Sequence, residues 1–308
     1  MKPGWTAGVT RARLMLSRTI GEEHARAVAG CGSLPEAVGA LAGSAYGERL
    51  HGHEDPAAAE RAIAETLLWH LRILAGWLPA AGAALVRTLA AWFEVANVDA
   101  RLASLAGDGR EPPAFVLGGL ATAWPSFERA RSVDELVEAV ARSVWGEPGG
   151  RSPGELAIAI RVSWARRVHE SVPAAADWVA GAGALLVARE LFVAGTREHT
   201  AQLVKLPVVG EQALAAGSLR ELRAGLPSRA AWALEGLTDP ADLWRAELGW
   251  WARVERDALV LLRQAGDEAI VLAAVTLLAV DAQRTLRALA AAVLGGSSVL
   301  AEVLDGAV

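Results

Sequence analysis

A fifteen-residue pattern constrains where helices begin in this chain. Residues 33–47 read SLPEAVGALAGSAYG, and residues 132–146 read SVDELVEAVARSVWG. Both carry Ser, an aliphatic residue, Glu three places after the Ser, a run of helix formers, a second Ser, an aromatic residue and Gly. A weaker third copy, SLRELRAGLPSRAAW, occupies residues 218–232. In each copy a pair (Ser33/Glu36, Ser132/Glu135, Ser218/Glu221) makes an S-x-x-E capping box. The hydroxyl takes one orphan amide of a new helix and the carboxylate reaches back to another. The segments ahead of the first two copies also match, with Arg11-Ala12-Arg13-Leu14 before one and Asp99-Ala100-Arg101-Leu102 before the other. A glycine follows in all three cases: Gly21, Gly118 or Gly119, and Gly210. The pattern predicts three helical modules, at about residues 1–92, 93–184 and 185–308. Each is too small to bury its own apolar face, so they are expected to pack side by side.

Composition carries the same fold class. Alanine makes up 66 of the 308 residues, and Leu, Arg and Glu are abundant. These are the strong helix formers, and strict apolar–polar alternation is scarce. Asp239-Pro240 places a capping carboxylate before a Pro at a first helical position. The steps Trp244, Leu248, Trp251, Val254, Ala258, Leu261 then put one apolar stripe on a helix, with Gly266 as its expected stop. Further helices are predicted at 57–77, 84–106, 155–170 and 268–294. The Gly- and Pro-rich stretches 107–113 and 146–153 read as surface loops. The chain is predicted to be all-α.

Charge and motif content exclude several functions. The net charge is −5, from 35 acidic residues against 28 Arg and 2 Lys. Nucleic-acid binding without sequence preference needs a net basic footprint, so that partner is not expected. Neither Lys2 nor Lys205 is followed by Ser or Thr, so a Walker A loop is missing and direct nucleotide binding is not expected. A lone cysteine, Cys31, permits no intramolecular disulfide. Arg11 and Arg13 interrupt any apolar leader region. The uncharged apolar stretches 73–86 and 269–280 fall short of the ~18–20 residues of a spanning helix. Both are expected to be core helices, and the chain to be intracellular and not integral to a membrane.

A search for catalytic chemistry finds little. His51 and His53 are the one close histidine pair, and they read as part of a solvated loop rather than a metal site. There is no HExxH and no GxSxG. Cys31, between two glycines, is expected to be an unreactive thiol. Gly181-Ala182-Gly183 reads as close helix packing rather than a dinucleotide fingerprint. Glu22-Glu23 and Asp267-Glu268 read as solvated helix starts. Trp250 and Trp251 point ~100° apart on a helix. Either that helix is broadly buried or one of them faces a partner.

These features, taken in order along the chain, resemble the funnel-shaped central-stalk component of the bacterial and archaeal V/A-type rotary ATPases, which has a counterpart in the eukaryotic V-ATPase. Residues 8–50 look like the opening of that family, with an Arg-rich first helix and a Ser44-Ala45-Tyr46 ending. Phe93-Glu94-Val95-Ala96-Asn97-Val98 resembles its aromatic–acid–x–x–Asn–aliphatic signature. Residues 115–120, with Gly118, resemble the apolar–Gly segment that follows, and Thr285-Leu286-Arg287 the closing Asn–aliphatic–Arg. Four departures stand out. Asp99 replaces a basic residue, Ala103 an Arg and Thr285 an Asn, and the central Asn motif is not recognisable in residues 185–195.

The resemblance implies three helical modules around a pseudo-threefold axis, forming a funnel without an active site or cofactor of its own. It implies a socket between the central shaft subunits and the cytoplasmic loops of the membrane proteolipid ring. The protein would then be peripheral, on the cytoplasmic face, and would pass torque between ATP chemistry and ion flow. Arg11, Arg13, Arg18, Arg101 and Arg287 are the expected interface positions; Tyr46, Phe93, Asn97 and Gly118 are expected to be structural. Two other readings fit the residues themselves: a helical-repeat adaptor with an open groove, and an all-α enzyme whose site is assembled from scattered residues.

Overall fold

The structure, a computed structural model, describes residues 4–52, 55–107, 113–264 and 266–295. The described residues are helical, with no strand among them. In chain order the α-helices are α1 (Thr6–Leu16), α2 (Gly21–Ala29), α3 (Leu34–Ala40), α4 (Gly47–Leu50), α5 (Pro56–Gly76), α6 (Ala80–Ala90), α7 (Trp92–Ala106), α8 (Trp124–Phe127) and α9 (Val133–Ala141). They continue with α10 (Pro153–Ser171), α11 (Ala176–Ala188), α12 (Thr200–Leu203), α13 (Glu211–Leu214), α14 (Leu219–Gly225), α15 (Ser228–Ala231), α16 (Leu243–Leu262) and α17 (Asp267–Val293). The all-α prediction holds.

Three of the long helices lie within a residue or two of their predicted ends. The predicted helix 84–106 instead breaks at Ala91, where α6 stops and α7 starts. Gly266 precedes α17 rather than ending α16, which stops at Leu262. At Asp239 the carboxylate accepts from Ala241 N–H at 2.8 Å, but Pro240–Asp242 is a 3-10 turn that feeds α16.

All three repeated serines cap a helix. Glu36 N–H donates to Ser33 Oγ (3.4 Å), Glu135 N–H to Ser132 Oγ (3.2 Å) and Glu221 N–H to Ser218 Oγ (3.3 Å). In each, the glutamate accepts from the amide just before the serine: Gly32 at 2.9 Å, Arg131 at 2.8 Å and Gly217 at 2.8 Å. In a strict capping box the carboxylate returns to the serine's own amide. That geometry occurs at Ser152, whose φ is −75°, where Glu155 accepts from the Ser152 amide at 3.0 Å. The other three serines are more extended, at −159°, −143° and −150°. Ser132→Ala removes the cap acceptor of α9 and is expected to lower stability by ~1 kcal/mol, read as a fall in melting temperature.

The chain packs as two compact units: Met1–Val86 with Trp251–Val308, and Arg87–Trp250. In the first, α17 is the central helix and packs on α1, α2, α3 and α5. Its alanines Ala282, Ala288, Ala291 and Ala292 join Val28, Leu34, Leu41, Leu50 and Ile63 in one apolar core. Small side chains let the helices approach closely while the larger ones fill the space between. At 27 residues α17 is long and apolar enough to cross a membrane by length and composition, and most of its apolar stretch is buried in the structure. The uncharged stretch 269–280 noted in the sequence ends at Asp281, which the fold buries within the same helix.

In the second unit α10 packs on α7, α11 and α12, and α15 packs on α11. A core of Leu185, Leu203, Leu206, Leu214, Leu222 and Leu234 runs between these elements. Gly181 is a close-packing residue, as predicted. A Cβ there would come within 2.5 Å of the Trp232 ring.

Candidate functional site

The most developed polar geometry in each unit is a buried carboxylate on a long helix. In the first unit Asp281, in α17, is 2% exposed. It accepts from Ile20 N–H (3.0 Å) and Gly21 N–H (3.3 Å), at the entry to α2, and from the Tyr46 hydroxyl (2.8 Å). Gly21 sits at φ +71°, a left-handed conformation that favours glycine, and this turns both amides toward the carboxylate. Burial pushes the Asp281 carboxyl above its ordinary range; the Tyr46 hydroxyl, the two amides and the nearby Arg284 offset part of that rise. The Tyr46 phenol is also pushed up, first by burial and then by the Asp281 charge.

In the second unit Glu94, in α7, is fully buried. It accepts from Thr122 N–H (2.6 Å) and Ala123 N–H (2.8 Å), at the entry to α8, and from Trp145 Nε1–H (2.8 Å). The parallel extends to the ring donors. Ser44 Oγ–H donates to Leu41 O at 2.7 Å and accepts from Tyr46 N–H at 3.1 Å. Ser143 Oγ–H donates to Val140 O at 2.7 Å and accepts from Trp145 N–H at 3.1 Å. The repeated second serine therefore forms the turn that sends the following aromatic ring to the carboxylate.

The third copy keeps only part of this design. Its tryptophan, Trp232, donates to Arg229 O instead. Glu190, on a π-helical turn at Arg189–Val193, pairs with His199 Nδ1 at 2.6 Å; both side chains are largely buried.

Among the residues singled out by sequence, Tyr46, Phe93 and Asn97 are buried. Asn97 Nδ2–H donates to Phe115 O (3.0 Å) and its Oδ1 accepts from Phe115 N–H (2.7 Å). The Phe93 and Phe115 rings meet edge to face, 5.2 Å apart. Gly118 has φ +56° and opens a 3-10 turn. The Phe93–Val98 signature thus fixes the segment that leads into α8: Asn97 holds it at Phe115 and Glu94 at Thr122 and Ala123.

Asp99, where the family pattern has a basic residue, faces Arg161 in a two-point ion pair (3.0 and 2.6 Å). Burial still raises its carboxyl, against the lowering effect of that arginine.

The five arginines have different surroundings. Arg13 and Arg18 are exposed, and Arg11 is half-buried with its Nε unpaired among the described residues. Arg101 donates to Ala130 O, and the Arg287 guanidinium lies 6.0 Å from the Trp251 ring. Trp250 Nε1–H donates to Trp178 O at 2.9 Å; both it and Trp251 are partly buried.

His51 is exposed, while His53 and residues 108–112 lie outside the described residues. No group of three or more His, Cys, Asp or Glu that could hold a metal occurs among the described residues. Cys31 is buried, and burial raises its thiol. Glu22 pairs with Arg26 on the surface, as expected of a solvated helix start, whereas Asp267 is buried.

Sequence reasoning missed Asp281, Trp145 and the Glu190–His199 pair. Chemically, Asp281 and Glu94 act as struts. Each ties a long helix to the start of another segment through three hydrogen bonds to a carboxylate, the strong class of such bonds. No protein-family model matches the chain, and no curated protein does.

Proposed function

We propose that the chain is a non-catalytic central-stalk subunit of a V/A-type rotary ATPase. In this reading three helical modules around a pseudo-threefold axis form a funnel, peripheral to the membrane on its cytoplasmic face. The funnel receives the tip of the shaft subunits and sits on the cytoplasmic loops of the proteolipid ring.

The observation that carries the reading is the recurrence of one local design. Three serine-capped helices share the same bond to the preceding amide. Two of them end in a serine turn whose aromatic ring reaches a buried carboxylate. The carboxylate of the first module comes from α17, near the other end of the chain. A last helix that completes the first module is what closure around an axis requires. An open solenoid leaves its first repeat with a free end.

The struts also suit the mechanical task. A coupling that passes torque must not shear internally, and bonds from backbone amides and rings to buried carboxylates resist sliding of the helices they join. Purification of the tagged full-length chain from membranes of its source cell tests the proposal. Nucleotide-binding ATPase subunits and the proteolipid should co-purify. Recovery of the chain only as a free monomer overturns it.

A further inference from the structure

The strut geometry leaves unexplained a cavity of about 200 Å³ in the second unit, bounded by the 146–150 loop, α10 and the α12 region. Its lining includes Trp145, Val162, Ser163, Arg166, Gln202 and Lys205. Three observations set its chemistry. First, Gln202 is 1% exposed, yet neither its amide nitrogen nor its amide oxygen has a hydrogen-bond partner among the described residues. Buried side-chain amides are nearly always bonded, so an orphan at a cavity wall marks a place where a polar partner belongs.

Second, Lys205 is one of two lysines in a chain with 28 arginines, and it lines this cavity. Among the described residues its ammonium is held only by a long 3.5 Å bond to Glu147 O. Gly149, at φ +78°, leaves room beside it. A Cβ there would lie 2.9 Å from Lys205 Nζ and 3.9 Å from Gln202 Nε2. The glycine therefore brings the ammonium and the orphan amide to one wall. Third, Arg166 adds a second cation, held loosely by Glu170 at 3.7 Å, and the one carboxylate in the lining is that of Glu147. Ser163 has its proton committed to Trp145 O at 2.6 Å. Trp145 and Val162 supply apolar wall.

We infer that this cavity binds a small organic carboxylate. Lys205 and Arg166 take the carboxylate, the apolar body lies on the Trp145 side, and the Gln202 amide turns to a neighbouring hydroxyl. The volume holds about six groups the size of a water molecule, which suits a short-chain hydroxy acid. Glu170 already faces Arg166, so it is the Lys205 ammonium, with no carboxylate partner among the described residues, that favours an anionic ligand, and the apolar wall favours an organic one over a bare inorganic anion. Turning the Gln202 amide breaks no existing hydrogen bond. The inference is independent of the stalk reading.

Titration calorimetry on the full chain with 2-hydroxyisovalerate tests it, alongside the uncharged 2-hydroxyisovaleramide and inorganic phosphate. Saturable one-to-one binding of the acid is expected, with the amide and phosphate each weaker by at least about tenfold. Lys205→Met, on an exposed side chain that the fold does not need, should weaken the acid about tenfold, and Gln202→Leu by a similar factor. The inference is overturned if the acid does not saturate, if phosphate or the amide binds equally well, or if Lys205→Met binds like the parent. A cavity that holds only ordered water would give the first of these results.

Discussion

Replacing Glu94 by Ala should lower the folding stability of the 87–250 unit by about 3–5 kcal/mol, the largest single-residue effect expected in that unit. The carboxylate is fully buried and accepts from two backbone amides and one indole. Truncation strands three buried donors at once, each costing about 1–3 kcal/mol when water cannot replace the partner. It also releases the entry to α8 and frees the Trp145 ring from its place under α7. Glu94→Gln keeps one accepting oxygen but turns the other site into a donor facing donors, so its cost should be about half as large. Trp145→Phe removes one donor together with its acceptor's third bond and should cost about 1–2 kcal/mol. Urea denaturation of the three variants reads the order directly. Equal stability of Glu94→Ala and the parent would show that the buried carboxylate is not a strut. Stabilities span about 5–15 kcal/mol in total, so the alanine variant should also expose the 113–127 segment to rapid hydrogen exchange.

What could be read from sequence was local, and what could not was long-range. Ser33, Ser132 and Ser218 announce their helices because cap and carboxylate lie three residues apart, and the structure places a helix start at each. Phe93, Glu94 and Asn97 were visible as a pattern, but their partners lie 18 to 51 residues away and the spacing alone names none of them. Asp281 gave no signal at all. It stands inside an apolar helix, 235 residues from Tyr46, and a lone acid in such a run reads as a break in hydrophobicity. The division at Ala91 was hidden for the opposite reason. Leu89-Ala90-Ala91-Trp92 contains no Gly or Pro, and strong helix formers on both sides conceal a stop set by packing. Glu190 and His199 meet across a π-helical turn whose extra residue per turn no helical template anticipates.

The α17 carboxylate gives the second large effect, and its sign depends on the replacement. Asp281→Ala orphans the Ile20 and Gly21 amides and the Tyr46 hydroxyl and should cost about 3 kcal/mol. Asp281→Asn keeps the shape. Its amide oxygen accepts from the two backbone amides, and its NH₂ donates to the Tyr46 oxygen once that hydroxyl rotates. Burial already penalises the charged form, as the upward shift of the Asp281 carboxyl records. Neutral Asn should therefore cost much less than Ala at pH 7. The shift also fixes the pH dependence. A carboxyl whose folded pKa lies above its ordinary 3.8 binds its proton more tightly in the folded state. Its contribution is fully present below the unfolded value and is lost as the pH rises through the folded one. The stability of the parent minus that of Asp281→Asn should therefore increase on acidification from neutral pH toward pH 4, as the other titrating groups cancel in the difference. Paired urea curves at the two pH values measure this. A difference that stays flat would mean that the hydrogen bonds to Asp281 balance its burial, and any outcome but a rise overturns the prediction; a difference that moves the other way would mean that the hydrogen bonds outweigh burial. The first unit would then be held by a carboxylate that the fold prefers charged.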